Sequence, residues 1–234
     1  MRSWIVCWTR PHSRKVESSI NSDPCSPLSA ARIRQRLANT RLPADPLKVV
    51  LPSELPRWPA PLQRKLTSNL KPAGVLIPII ERADQLSVLL TRRAANLKHH
   101  ASQISFPGGR MEPGDADIEA TALRETEEEV GIAPRQVEIA GYLEPSATVT
   151  GYAVTAVVGL LQSDFELIID RSEVEAVFEV PLSFLMERGN QEHSERKFEG
   201  VMVPIVEFNY QQWRIWGATA SILMVLRNKL IKDF

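Results

Sequence analysis

The stretch Gly109-Arg-Met-Glu-Pro-Gly-Asp115-Ala-Asp-Ile-Glu-Ala-Thr-Ala-Leu-Arg124-Glu125-Thr-Glu-Glu128-Glu129-Val-Gly131-Ile132 decides how the chain reads. Pro113-Gly114-Asp115 spells a tight turn with an N-cap, and Val130-Gly131-Ile132 ends a helix on glycine. A helix over about 116–130 follows. One stripe of it carries Ile118, Ala122, Leu123 and Val130, with Thr126 among them, and is built for a core. On the other side Glu125, Glu128 and Glu129 stand at i, i+3 and i+4 and share a face. Like charges at that spacing repel, by roughly 0.2–0.5 kcal/mol for an i,i+4 pair on an isolated helix. A glutamate-rich helix is most often only a solvated face. Here Phe106-Pro107-Gly108-Gly109 leads into it and Arg124 stands beside the first glutamate, a setting that asks for a cation. Oxygen-only ligands select a hard ion, Mg²⁺ or Mn²⁺.

The segment resembles the Nudix box, Gly-x5-Glu-x7-Arg-Glu-U-x-Glu-Glu-x-Gly-U, where U is bulky and apolar. Gly109, Arg124, Glu125, Glu128, Glu129, Gly131 and Ile132 match it. The early acidic position holds Asp115, eight residues rather than seven precede Arg124, and Thr126 replaces an apolar residue. Upstream, residues 89–109 resemble the signature of the coenzyme A pyrophosphatase branch, Leu-Leu-Thr-x-Thr-(Ser/Ala)-x3-Arg-x3-Gly-x3-Phe-Pro-Gly-Gly. Three positions depart from that pattern: Arg93 for Thr, Lys98 for Arg and Ser102 for Gly. Lys98 keeps the charge but loses the planar fork that grips phosphate. Ser102 matters if that site needs positive φ. Segments at 150–155 and 216–220 are also similar to that branch.

The resemblance implies an α/β/α sandwich around a mixed sheet, and hydrolysis of the pyrophosphate bond of coenzyme A and acyl-CoA to 3′,5′-ADP and 4′-phosphopantetheine derivatives. Two alternatives stay open. One is another nucleoside diphosphate conjugate, such as NADH or ADP-ribose. The other is a binding or regulatory module that kept the fold without catalysis, against which the intact glutamates count. Metal candidates are Glu125, Glu128 and Glu129, with Glu125 and Glu129 leading. Catalytic candidates are Glu125, Glu128 and Arg124, the arginine as an orienter of carboxylates. Which glutamate accepts the proton is left open. Gly108 and Gly109 let backbone approach metal or phosphate closely, and Lys98 is the candidate phosphate contact beside His99 and His100. Glu173 and Glu175 are candidates for a late acidic residue that completes the site. Tyr152 reads equally as cleft wall or core. Trp213 and Trp216 read as core or dimer contacts, and a homodimer is left open.

Composition agrees with a single soluble domain and an extension. The 234 residues are 44% hydrophobic and 24% charged, enough for a sizeable core. Net charge is +0, which gives no general nucleic-acid footprint. Residues 1–45 hold eight Lys or Arg against three Asp or Glu and show little patterning. They also hold both cysteines, Cys7 and Cys25, which make no disulfide framework or metal knuckle. No apolar run approaches the roughly 18–20 residues of a membrane span. The acid-poor start reads as a disordered tail or, alternatively, an organelle transit peptide, with a cytoplasmic enzyme expected. Domain boundaries are expected as a disordered extension over 1–45, a proline-rich linker over 46–71 and the Nudix-like domain over 72–232. One amphipathic helix at 29–39 is the exception within the extension. Strands are expected at 75–80, 86–91, 137–143, 154–161, 174–180, 201–208 and 213–216, with a short helix at 181–186 and a last one at 218–229. Strands mixed with few helices, without strict alternation, argue α+β.

Overall fold

The computed structural model describes residues 28–51, 60–97, 100–198 and 200–231. The chain runs through α1 (Ala30–Leu37), α2 (Ala60–Thr67), β1 (Lys71–Glu81), β2 (Leu86–Arg93), β3 (Ile104–Ser105), β4 (Gly108–Arg110) and α3 (Ile118–Val130). It continues with β5 (Glu138–Tyr142), β6 (Ser146–Ala147), β7 (Tyr152–Gln162), β8 (Val174–Pro181) and α4 (Leu182–Met186). The last elements are β9 (Gln191–Phe198), β10 (Val201–Tyr210), β11 (Trp213–Trp216) and α5 (Ala218–Ile231).

A mixed sheet forms the centre. β1 and β7 pair in parallel from Lys71↔Tyr152 to Glu81↔Gln162, and β2, β4, β5, β6 and β8 add antiparallel neighbours. Both central strands are apolar at nearly every position, the pattern of a sheet covered on both faces. Alternation then divides them: Ile77, Ile79, Val158 and Leu160 face one core, Leu76, Ile80, Val157 and Leu161 the other side. Pro78 interrupts β1 without breaking it. It lies between the residues that pair with β4, ending at Val75, and those that pair with β2, starting at Ile79. On that edge no strand calls for the amide that proline lacks.

Helix α3 covers one face through Ala122 against Leu76 and Val157. The other face is covered by α1, α4 and α5, whose Ile33, Leu37, Leu182, Leu185, Leu223 and Leu226 join the main core. This is the expected α+β sandwich. A second sheet, ordered β11-β10-β9, packs Phe208 and Ile215 into the same core. Among the described residues no helix is long and apolar enough to cross a membrane.

Three expectations change. The extension does not stay disordered to residue 45: α1 is capped by Ser29 and buries Ala30, Ile33 and Leu37. The stretch expected as a linker over 46–71 contains α2, whose Leu62 and Leu66 pack against Ala147, Val149 and Val203. Strand β9 was not expected at all and pairs with β10 along its length. Cys7 and Cys25 lie outside the described residues.

Candidate functional site

Helix α3 starts two residues later than the sequence suggests. Its N-cap is Asp117, whose carboxylate accepts the Ala120 amide at 2.9 Å, rather than Asp115. Gly131 closes it in the left-handed region, φ 79, with its amide donating to Glu127 O. Thr126 sits fully buried at the apolar position because its hydroxyl donates to Ala122 O at 2.6 Å and leaves only its methyl for the core.

Asp115 instead anchors Arg124. The guanidinium donates Nε to Oδ1 at 2.8 Å and Nη2 to Oδ2 at 3.0 Å, a bidentate fork. Thr121 and the Glu112 amide donate to the same carboxylate. Arg124 first, then these donors, holds Asp115 well below the usual carboxylate range. Nη1 of Arg124 remains to reach Glu125 at 3.0 Å and Glu128 at 2.9 Å. Arg124 therefore touches three carboxylates, and the extra residue before it lies in the turn that presents Asp115.

A cavity of about 1030 Å³ opens beside α3. Glu125 and Glu129 line it, with Gly108 and Gly109 of β4, Arg93 at the end of β2, and Glu173 just before β8. Tyr152, Trp216 and the loop 148–151 line it too, as do Lys65 of α2 and Ser68 and Asn69 just after it. The two glycines have separate reasons. Gly108 has φ +148, and a side chain there would strike the β1 backbone at Gly74 and Val75. A Cβ on Gly109 would fall inside the Glu125 carboxylate.

Glu129 is the deepest charge, 2% exposed. The Gly108 amide donates to its Oε2 at 3.2 Å and Arg93 Nη1 to its Oε1 at 3.3 Å. Burial pushes its pKa up to about 8, against the opposing pull of Arg93 and the Gly108 amide, while Glu125 and Glu173 add to the rise. Glu125 is also raised, by burial first, with Arg124 opposing and Glu128 and Glu173 reinforcing. Three carboxylates thus meet at one cavity, Glu125 and Glu129 partly desolvated and Glu173 exposed at its edge. An all-oxygen donor set of this kind fits a hard divalent cation, which would offset the repulsion. Among the described residues, no group of three is already drawn in around one point as ligands.

The expected residues separate on this geometry. Glu125, Glu129, Gly108 and Gly109 are brought together. Glu128, expected as both ligand and catalytic group, is not: its carboxylate is 60% exposed, drawn to Arg124, and absent from the cavity wall. Lys98 and His99 lie outside the described residues. His100 lines the cavity at φ 56 and holds Gln103 at 2.7 Å. Ser102, at φ 60, does occupy the left-handed conformation that suits glycine. Of the late acids, Glu173 reaches the cavity, whereas Glu175 pairs with Arg92 at 3.3 Å. Tyr152 is cavity wall. Trp213 stacks on Phe178 at 4.3 Å, but Trp216 borders the cavity under Arg196, 3.8 Å from its ring centre. Arg93 was noticed only as a departure from a pattern. Strand alternation was the available signal: it sets Arg93 on the same face as Thr91, which bonds Ser105 next to the cavity loop.

Comparison with known proteins gives the same frame. The NUDIX domain family matches residues 70–212. The chain is 41% identical over 170 residues to the uncharacterized Nudix hydrolase NudL of Photorhabdus laumondii, covering 73% of this chain and 90% of that protein. It is 42% identical over 160 residues to the uncharacterized Nudix hydrolase NudL of Escherichia coli O1:K1, covering 68% and 83%. A MutT/nudix family protein from Enterococcus faecalis superposes with a TM-score of 0.47 at 18% identity, over 88% of this chain and 76% of that one. A C. elegans Ap4A hydrolase complex gives 0.41 at 23% identity, over 49% and 82%. With the family domain spanning the sheet, α3 and every carboxylate of the cavity, this chain belongs to the Nudix hydrolases.

Proposed function

We propose that this Nudix hydrolase cleaves the diphosphate bridge of coenzyme A and its acyl thioesters, releasing 3′,5′-ADP and the 4′-phosphopantetheine product. The observation that carries the reading is the placement of the coenzyme-A-like stretch 89–109. Its described residues include most of β2, all of β3 and most of β4, and contribute Arg93, His100, Gln103, Gly108 and Gly109 to the wall facing Glu125 and Glu129.

Glu125 and Glu129 would hold Mg²⁺ or Mn²⁺, one helical turn apart, with Glu173 completing the charge of the site. Such an ion supplies charge neutralisation at the phosphate oxygens and a lowered pKa for a bound water. The remaining steps belong to the protein. Arg124 keeps Glu125 turned inward. The bare backbone of Gly108–Gly109 leaves room for phosphate oxygens. A water oxygen adds to one phosphorus, the bridging P–O bond breaks, and the water proton passes to a carboxylate. Glu173 is the choice for that acceptor, because it lines the cavity from outside the ligand-bearing helix. Glu128 takes no part beyond sharing Arg124. The family domain begins near residue 70, and α1 and α2 belong to an accessory segment packed on it.

The test is a substrate panel with purified full-length protein and Mg²⁺ or Mn²⁺: coenzyme A, acetyl-CoA, NADH and ADP-ribose. Coenzyme A or its thioester should give the highest kcat/KM, with 3′,5′-ADP as a product. A much higher kcat/KM for NADH or ADP-ribose would assign the other conjugate class. No turnover on any of them would favour a binding module.

A further inference from the structure

The two arginines of the site are held in opposite ways. Arg124 is locked by a fork to Asp115 and further bonds to Glu125 and Glu128. Among the described residues Arg93 makes a single side-chain hydrogen bond, Nη1 to Glu129 Oε1 at 3.3 Å, longer than the usual charge-assisted bond. Its side chain is 24% exposed and starts where the β2–β8 ladder shifts register. Both oxygens of Glu129 are nevertheless taken, one by Arg93 and one by the Gly108 amide. The amide cannot leave, because Gly108 is fixed opposite Val75 in the sheet. A divalent cation that comes to Oε1 repels the guanidinium sharing that oxygen, and of the two donors only Arg93 is free to move away.

We propose that Arg93 is a positioning residue with two successive partners: Glu129 in the metal-free enzyme, and a phosphate group of the substrate once a divalent cation has taken that carboxylate. The inference rests on the reading of Glu129 as a metal ligand. In the first state the guanidinium stands in for the ion and keeps the buried carboxylate paired. Displaced, it is repelled by the incoming charge yet tethered by β2, so it stays in the same cavity. A diphosphate arriving there offers paired oxygens that match the planar fork. The same side chain thus restrains metal uptake and improves substrate capture.

The experiment is Mn²⁺ titration of metal-stripped, full-length protein without substrate, followed by electron paramagnetic resonance, paired with steady-state kinetics at saturating Mn²⁺. Arg93→Met should lower the Mn²⁺ Kd by about tenfold. It should raise KM for the cleaved diphosphate substrate by about tenfold or more, and change kcat by less than about threefold. Arg93→Lys, which keeps charge without the fork, should shift both quantities the same way by smaller factors, and it serves if the methionine variant does not fold. Unchanged or weaker Mn²⁺ binding in these variants overturns the inference, as does a fall in kcat at constant KM. Glu129→Gln separates the two layers. If it abolishes Mn²⁺ binding while the Arg93 variants behave as wild type, only the arginine exchange fails. If it binds Mn²⁺ as wild type does, the metal site and the exchange both fall.

Discussion

Helices α1 and α3 are buried to similar degrees and for opposite ends. α1 sends Ala30, Ile33 and Leu37 into the main core. Its end is stitched to β5 by Thr40, whose hydroxyl donates to Leu37 O at 2.6 Å and accepts the Tyr142 amide at 2.9 Å. Arg34 forks onto Glu138 at 2.6 and 2.8 Å. An eight-residue helix does not persist alone in water, so these contacts are what make it a helix. α3 buries Ile118, Ala122 and Val130, but also the charge of Glu129. One helix lies before the family domain and buries only apolar side chains; the other lies within it and gives up stability at Glu129, the proposed metal ligand.

The sharpest way to break that contrast is to remove α1. A chain beginning at residue 46 loses the burial of Ile33 and Leu37, about 1.5–3 kcal/mol for each side chain. Against a total stability of roughly 5–15 kcal/mol, that protein should be largely unfolded or aggregated, read by thermal melting and size exclusion. Leu37→Ala should cost about 2–4 kcal/mol yet leave kcat/KM of the folded fraction within about twofold. A stable, active truncation would show α1 to be ornament.

The complementary change is Glu129→Gln. Turnover should fall about a hundredfold or more at saturating Mg²⁺, about 2.7 kcal/mol of barrier, with the fold retained by circular dichroism. Near-wild-type turnover would sink the assignment of this helix as the reacting one.

A smaller effect concerns pH. The folded pKa of Glu129 is raised from 4.5 to about 8, so its contribution to stability is full below about pH 4.5 and is lost as pH rises through about 8. Glu125 is raised as well and acts with the same sign. In chelator, wild-type Tm should therefore fall between pH 5 and 8, whereas Glu129→Gln should fall less. Added Mg²⁺ should restore the wild type and not the variant. A wild-type Tm that is flat over that range in chelator would mean Glu129 carries no such penalty.

The smallest expected change is at Ser102. A non-glycine residue at φ 60 costs roughly 1 kcal/mol, so Ser102→Gly should raise Tm slightly without altering kcat. A lowered Tm would indicate that the serine hydroxyl holds the loop.

These contrasts also explain what the sequence let one read. The central strands and α3 were legible because apolar runs and a capped, periodic helix are long signals. β9 was not, since Gln191-Glu-His-Ser-Glu-Arg-Lys-Phe198 is polar on both faces and is held by backbone pairing with β10. α2 hid among Pro56, Pro59 and Pro61, with only Leu62 and Leu66 turned inward. The carboxylates misled by one step. Neighbouring residues on a helix diverge by about 100°, so Glu128 and Glu129 cannot both face one cavity squarely. Arg124 settles which of them turns away.

The parallel pairing of β1 with β7 sets the order of assembly. Each pair, from Lys71↔Tyr152 onward, joins residues 81 positions apart in the chain, and α3 lies within the span. Loop closure over that distance precedes any reward from the contacts, and such non-local pairing slows folding. During synthesis β1 waits for its partner until residue 162 has emerged, and its apolar flanks stay uncovered meanwhile. The glutamate-bearing helix can coil early, but its carboxylates acquire their buried setting only when the sheet closes. Recovery of activity on refolding is therefore bound to this long-range pairing, not to the appearance of helix.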